Sequence, residues 1–69
     1  MTVKEAIKQL REALEAKYNM EMTGVRIDAG YKTYDYKNID KAIEQFGDNE
    51  IKRARLTRVH PTMPSITLK

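Results

Sequence analysis

Sixty-nine residues suffice for one small domain, and a chain of that length buries only ~60% of its unfolded surface, so its core is small. Cysteine is absent, which excludes disulfide staples. No window approaches the ~20 apolar residues of a membrane span, and the N-terminus lacks the charged-then-apolar order of a signal peptide, so a soluble, cytoplasmic protein is expected. The net charge of +3 is unevenly held. Residues 1–49 carry eight Lys/Arg against nine Asp/Glu, a balance of −1, whereas residues 50–69 carry five against one, a balance of +4. A local excess of this kind attracts nucleic acid, an anionic surface or an acidic protein.

The first predicted element is a helix over Val3–Tyr18. Val3, Ile7, Leu10 and Leu14 recur at steps of four, three and four, with Ala6, Ala13 and Tyr18 at the margins of the stripe. That spacing lines one helix face. Lys4, Glu5, Lys8, Arg11, Glu12 and Glu15 fall mostly on the other. Thr2 stands at the N-cap with Glu5 three residues on, the pattern in which each side chain satisfies a free backbone N–H. Asn19 suits the C-cap and Gly24 stops the element. Met20 and Met22 are expected to fold back as core filler. From Val25 the period changes to two: Val25, Ile27 and Ala29 alternate with Arg26 and Asp28, as in a half-buried strand. Ala29-Gly30 suits a tight turn, and Tyr31–Tyr36 is read as the returning strand, with Tyr34 and Tyr36 on one face beside Lys32. One long bent strand is the alternative to this hairpin.

Asn38 caps a second, shorter helix in which Ile39, Ala42, Ile43 and Phe46 follow the i, i+3, i+4, i+7 rule. Asp40 complements its N-terminal dipole, and Gly47 is expected in the left-handed position after its end. Asp48-Asn49 supplies a turn. Residues 50–60 alternate again, with Lys52, Ala54, Leu56 and Arg58 on one face and Ile51, Arg53, Arg55, Thr57 and Val59 on the other. Neither set is cleanly apolar, which suggests an edge strand. Pro61 and Pro64 interrupt the chain, and Ser65–Lys69 allows a short last strand. The expected fold is therefore α+β, in the order α-β-β-α-β(-β). Two helices pack on one face of a small, three- or four-stranded, mainly antiparallel sheet, within a single domain spanning residues 1–69.

Catalytic chemistry finds little support. His60 is the only histidine and lies beside Pro61, Ser65 is the only serine, and no motif joins them. Asp28, Asp35, Asp40, Asp48 and Glu50 are spread over different elements, with no pair spaced to drive two pKa values apart. Gly47–Glu50 lacks the alternating oxygen ligands of a calcium loop, and Gly24 and Gly30 are too isolated to cradle a phosphate. No metal or cofactor is expected.

Three features suggest binding. Lys52, Arg53, Arg55 and Arg58 form a basic stretch whose Arg53 and Arg55 share a face and can track successive phosphates; charge that merely keeps an edge strand soluble is the plainer reading. Tyr31, Tyr34 and Tyr36, interleaved with Lys32 and Lys37, can stack bases or anchor an interface, or simply rim the core. Val3, Ile7, Leu10 and Leu14 also match a and d heptad positions, which would make a homodimer through the first helix, unless the same stripe packs on the protein's own sheet.

Ile39-Asp40, Ile43, Phe46-Gly47-Asp48 and Glu50-Ile51-Lys52, within residues 38–52, resemble a segment of small uncharacterised proteins encoded by bacteriophages and prophages. The shared pattern is a capped helix, a turn and a strand. It implies no activity and carries no functional residue; it implies a small accessory protein that acts by binding a host component. The expected function is a non-enzymatic module working by protein–protein contact; the alternative is nucleic-acid binding by the basic strand 52–58 and the neighbouring tyrosines.

Overall fold

A computed structural model describes all 69 residues. The chain runs α1 (Val3–Tyr18), β1 (Val25–Asp28), β2 (Thr33–Tyr36), α2 (Ile39–Phe46), β3 (Ile51–Arg55) and β4 (Ser65–Leu68). The strands form one mixed sheet in the order β2-β1-β4-β3. Its two outer pairings are antiparallel, and its central pairing, β1 with β4, is parallel. Both helices cover the same face: α1 lies over β3 and β4, α2 over β1 and β2, and the helices touch each other. The chain is thus the α+β domain that its periodicities predict.

Local chemistry explains each boundary. The Thr2 hydroxyl accepts from the Glu5 backbone N–H while the Glu5 carboxylate accepts from the Thr2 N–H at 2.9 Å. The next free donors of α1 are met from outside the helix, since Val3 N–H donates to the Asn49 carbonyl (2.9 Å) and Lys4 N–H to that of Gly47 (3.0 Å). A helix start pinned this way leaves no orphaned donor to solvent competition. Asn19 closes α1 in the left-handed conformation, φ 53°. The Asn38 side chain caps α2 by accepting from Asp40 N–H at 3.0 Å.

Gly47 corrects one expectation. It is right-handed, φ −51° and ψ −37°, so positive φ is not why glycine stands there. A Cβ at this position would collide with the Ile43 carbonyl; the requirement is close approach. Gly30 does take positive φ, 89°. Together with Tyr31 it forms the tip of the β1–β2 hairpin, closed by Ala29 N–H donating to the Lys32 carbonyl at 2.9 Å. The returning strand therefore starts at Thr33, two residues later than expected, and Tyr31 belongs to the turn.

The core joins Val3, Ala6, Ile7 and Leu10 of α1 to Val25 and Ile27 of β1, Ile39 and Ala42 of α2, and Ile66 of β4. Leu14 is also fully buried. Hence Val3, Ile7 and Leu10 of the α1 stripe pack into the core shared with the sheet and α2, and all four a and d positions are buried within the chain itself. Met22 packs on this core, whereas Met20 is exposed. No buried side-chain polar atom lacks a partner. No helix is long and apolar enough to cross a membrane.

The basic segment departs most from its sequence pattern. Regular pairing stops at Arg55, and residues 56–64 form a loop. Within β3 the register slips by one: Ile51 pairs with Leu68, but Arg53 pairs with Thr67. Lys52 is the extra residue of a bulge, and a bulge shifts all side chains beyond it to the opposite parity. Ile51, Ala54 and Leu56 therefore all pack on the core, although simple alternation separates Ile51 from the other two. Lys52 does not share their face.

Candidate partner-binding surface

One sheet face is covered by helices; the other is open. The ladder places Asp35, Arg26, Ser65 and Arg55 in one row across the open face, and Thr33, Asp28, Thr67 and Arg53 in the next. Every one of these residues is polar. The two rows run from a mixed-charge side on β2 and β1, through the hydroxyls of β4, to a purely basic side on β3.

The arginines on this face are in different states. Arg26 is spent on Asp35, with Nε 2.7 Å from Oδ1 and Nη2 3.3 Å from Oδ2. That two-pronged contact holds the Asp35 carboxyl below its ordinary range, chiefly through the hydrogen bond, and raises the pKa of the guanidinium. Arg53 and Arg55 are exposed and enter no ion pair or side-chain hydrogen bond; the ion pairs of the molecule are Arg26–Asp35 and that of the Met1 amine with Glu50, 3.1 Å. Their charge is therefore available to something outside the chain.

The remaining basic residues do not join them on one ladder. Lys52 is exposed at the bulge, and Arg58 is exposed in the loop after β3. That loop is nonetheless ordered by its own bonds: Thr57 Oγ1 donates to the His60 carbonyl at 2.7 Å, and the Thr23 and Thr62 hydroxyls meet at 3.0 Å. His60 is exposed in the same loop. No group of three or more His, Asp or Glu side chains is gathered so as to hold a metal ion.

The tyrosines part company with the arginines. Tyr34 and Tyr36 point to the helix-covered side, where both are half-buried against the core. They form an aromatic cluster with Phe46, with ring centroids 5.2 Å apart for Tyr34–Phe46 and 6.2 Å for Tyr36–Phe46. The Tyr36 hydroxyl donates to Gln45 Oε1, and the Lys32 ammonium lies over the Tyr34 ring at 4.9 Å. Tyr31, at the hairpin tip, is 83% exposed, and the neighbouring Tyr34 phenol raises its pKa. Tyr34 and Tyr36 thus lie on the opposite side of the sheet from Arg53 and Arg55, and at the opposite edge. Period-two spacing shows which residues share a face. It does not show which face the helices cover.

The face missed by sequence reading is the polar one itself. Ser65 and Thr67 become its centre because β4 inserts between β1 and β3, and only the pairing order reveals this.

No family model matches the chain, and no curated protein or solved structure matches it.

Proposed function

We propose that the protein is a small, non-enzymatic binding module that engages an acidic protein surface through Arg53 and Arg55, with Lys52 and Arg58 adding charge at the margins. The observation that carries this reading is the unpaired state of Arg53 and Arg55 on the uncovered face. Arginine is enriched among interface anchors, and its planar fork matches carboxylates. A flat face of alternating hydroxyl and charged groups suits a polar, wet contact rather than a hydrophobic one. This reading takes the protein to act in the cytoplasm as an accessory or inhibitor of the phage type that residues 38–52 resemble.

Nucleic acid is the second reading, favoured by the Ser65 and Thr67 hydroxyls beside the arginines, since hydroxyls and guanidinium groups both bind phosphate. It is weakened by Tyr34 and Tyr36, which lie on the other side and give no stacking platform on this face.

A pull-down with the Arg53→Glu, Arg55→Glu double variant, with and without nuclease, tests both. Loss of an acidic protein partner with an unchanged melting curve supports the first reading; retained capture removes these arginines from the site. Capture abolished by nuclease points to the second. Phosphate contact by the two arginines alone implies a log–log salt slope of about −1.8, and by all four cations about −3.6.

A further inference from the structure

The geometry points to the outer edge of β2 as a self-association surface, where β2 of one copy pairs antiparallel with β2 of a second copy about a two-fold axis through Tyr34.

The edge is open, and its free groups can be named. Ala29 N–H donates to Lys32 across the hairpin, whereas Arg26 N–H donates away from β2, to the Pro64 carbonyl at 2.9 Å. Antiparallel pairs alternate between bonded and non-bonded. Ile27–Tyr34 and Val25–Tyr36 are therefore the bonded pairs of this hairpin, and Asp28–Thr33 and Arg26–Asp35 the non-bonded ones. Thr33 and Asp35 consequently aim both N–H and C=O outward. β2 ends the sheet, and no loop or terminal residue bonds to either backbone.

The stretch Tyr31-Lys32-Thr33-Tyr34-Asp35-Tyr36-Lys37 is complementary to itself when reversed about Tyr34. Thr33 then faces Asp35 of the second copy, and each such pair exchanges two backbone bonds, using every outward group just named. Tyr34 meets its counterpart at a non-bonded position, where side chains approach most closely. Lys32 faces Tyr36, and Lys37 faces Tyr31, so each lysine meets a ring rather than another lysine. The contact of Lys32 with Tyr34 inside one chain shows that this ammonium already uses a ring. Other centres are worse: pairing about Asp35 opposes two carboxylates, and pairing about Thr33 leaves Asp35 facing Tyr31, beyond the strand end. Asp35 itself enters as part of an ion pair with Arg26, not as a lone charge. The two-fold axis keeps both helix layers on one side, and the half-buried Tyr34 and Tyr36 cover one another across the join.

A join held by four backbone bonds is small, so the dimer is weak and depends on concentration. Sedimentation or light scattering between ~1 μM and ~1 mM protein should show the mass rising from 8.0 kDa toward twice that value. In parallel, the Thr33 and Asp35 amides should become protected from hydrogen exchange as concentration rises. Thr33→Pro removes an outward N–H and none of the bonds to β1, so it should keep the melting curve and hold the mass at 8.0 kDa. A wild-type mass that stays monomeric throughout overturns the proposal, as it does if another chain is the occupant of this edge. Dimerisation that survives Thr33→Pro, or concentration-dependent protection that appears elsewhere, overturns it too. If Thr33→Pro fails to fold, the exchange of the two wild-type amides still decides.

Discussion

The outer strands of the sheet, β3 with three charged residues and β2 with one, treat their edges differently. β3 is shielded in three ways. Met1 and Thr2 run along its beginning, with Ile51 N–H donating to the Met1 carbonyl at 3.0 Å and Thr2 bridged to Glu50. Lys52 bulges out of its ladder, and Arg53 and Arg55 charge its open face. β2 has no strap and no bulge, only Lys32 and Lys37 at its ends and an aromatic cluster behind it. Native sheets blunt exposed edges with just such bulges and charges, because an unprotected edge is a template for another strand. Under the two proposals above, the sides differ in kind: side-chain charge at β3, backbone pairing at β2.

The comparison can be broken most drastically from beneath. Leu10→Asp puts an unpaired charge into the core that supports both edges, at a cost of several kcal/mol against a total of about 5 kcal/mol or slightly more. Circular dichroism should show a largely unfolded chain; a normal melt would place that face outside the core. Thr2→Ala acts on one edge only. It removes the cap of α1, costing about 1 kcal/mol, and should loosen the strap on β3. Faster exchange at Ile51 with β2 amides unchanged is the expected signature.

Deleting Lys52 sharpens the contrast further. It leaves Ile51 facing the core, Arg53 facing out and Ala54 facing the core, a regular strand with every other residue where it was. Stability should change by less than about 1 kcal/mol, but β3 loses its protective bulge and the variant should aggregate faster by light scattering. Severe unfolding would mean that the bulge shapes the core as well as the edge.

The smallest effect concerns acid. Asp35 titrates below its ordinary value of 3.8 in the folded chain because Arg26 stabilises the carboxylate. A depressed folded value means that its contribution is complete above the unfolded value and is lost as pH falls through the lower folded one. Asp35→Asn should flatten the acid limb of a melting series by a small amount, since both side chains are more than half exposed. Glu5, lowered by its bonds to Thr2, titrates in the same direction, so some acid sensitivity should remain.

The helices were legible because two independent signals coincide in each: apolar spacing and a cap, Thr2 with Glu5 in α1 and Asn38 in α2. β1 was legible from clean alternation. β3 was not, because one inserted residue breaks the parity on which strand reading depends, and so Ile51 was grouped with Arg53 and Arg55. Arg58 was extended into a strand that ends three residues earlier. Tyr34 and Tyr36 looked available because an aromatic residue at every second position looks the same on a covered face as on an open one. The Arg26–Asp35 pair was hidden for a different reason: it follows from hairpin register, which is set by the Gly30-Tyr31 tip.

The parallel pairing at the centre of the sheet has a kinetic consequence. Ile27 and Ile66 lie opposite each other, 39 residues apart along the chain, and β4 must arrive between β1 and β3 before either hairpin has a complete neighbour. Closing so long a loop costs entropy before any contact repays it, and topologies of this kind reach the native state more slowly than helical bundles do. Ile66→Val should therefore slow refolding as well as speed unfolding if the seam between β1 and β4 is laid down at the rate-limiting step.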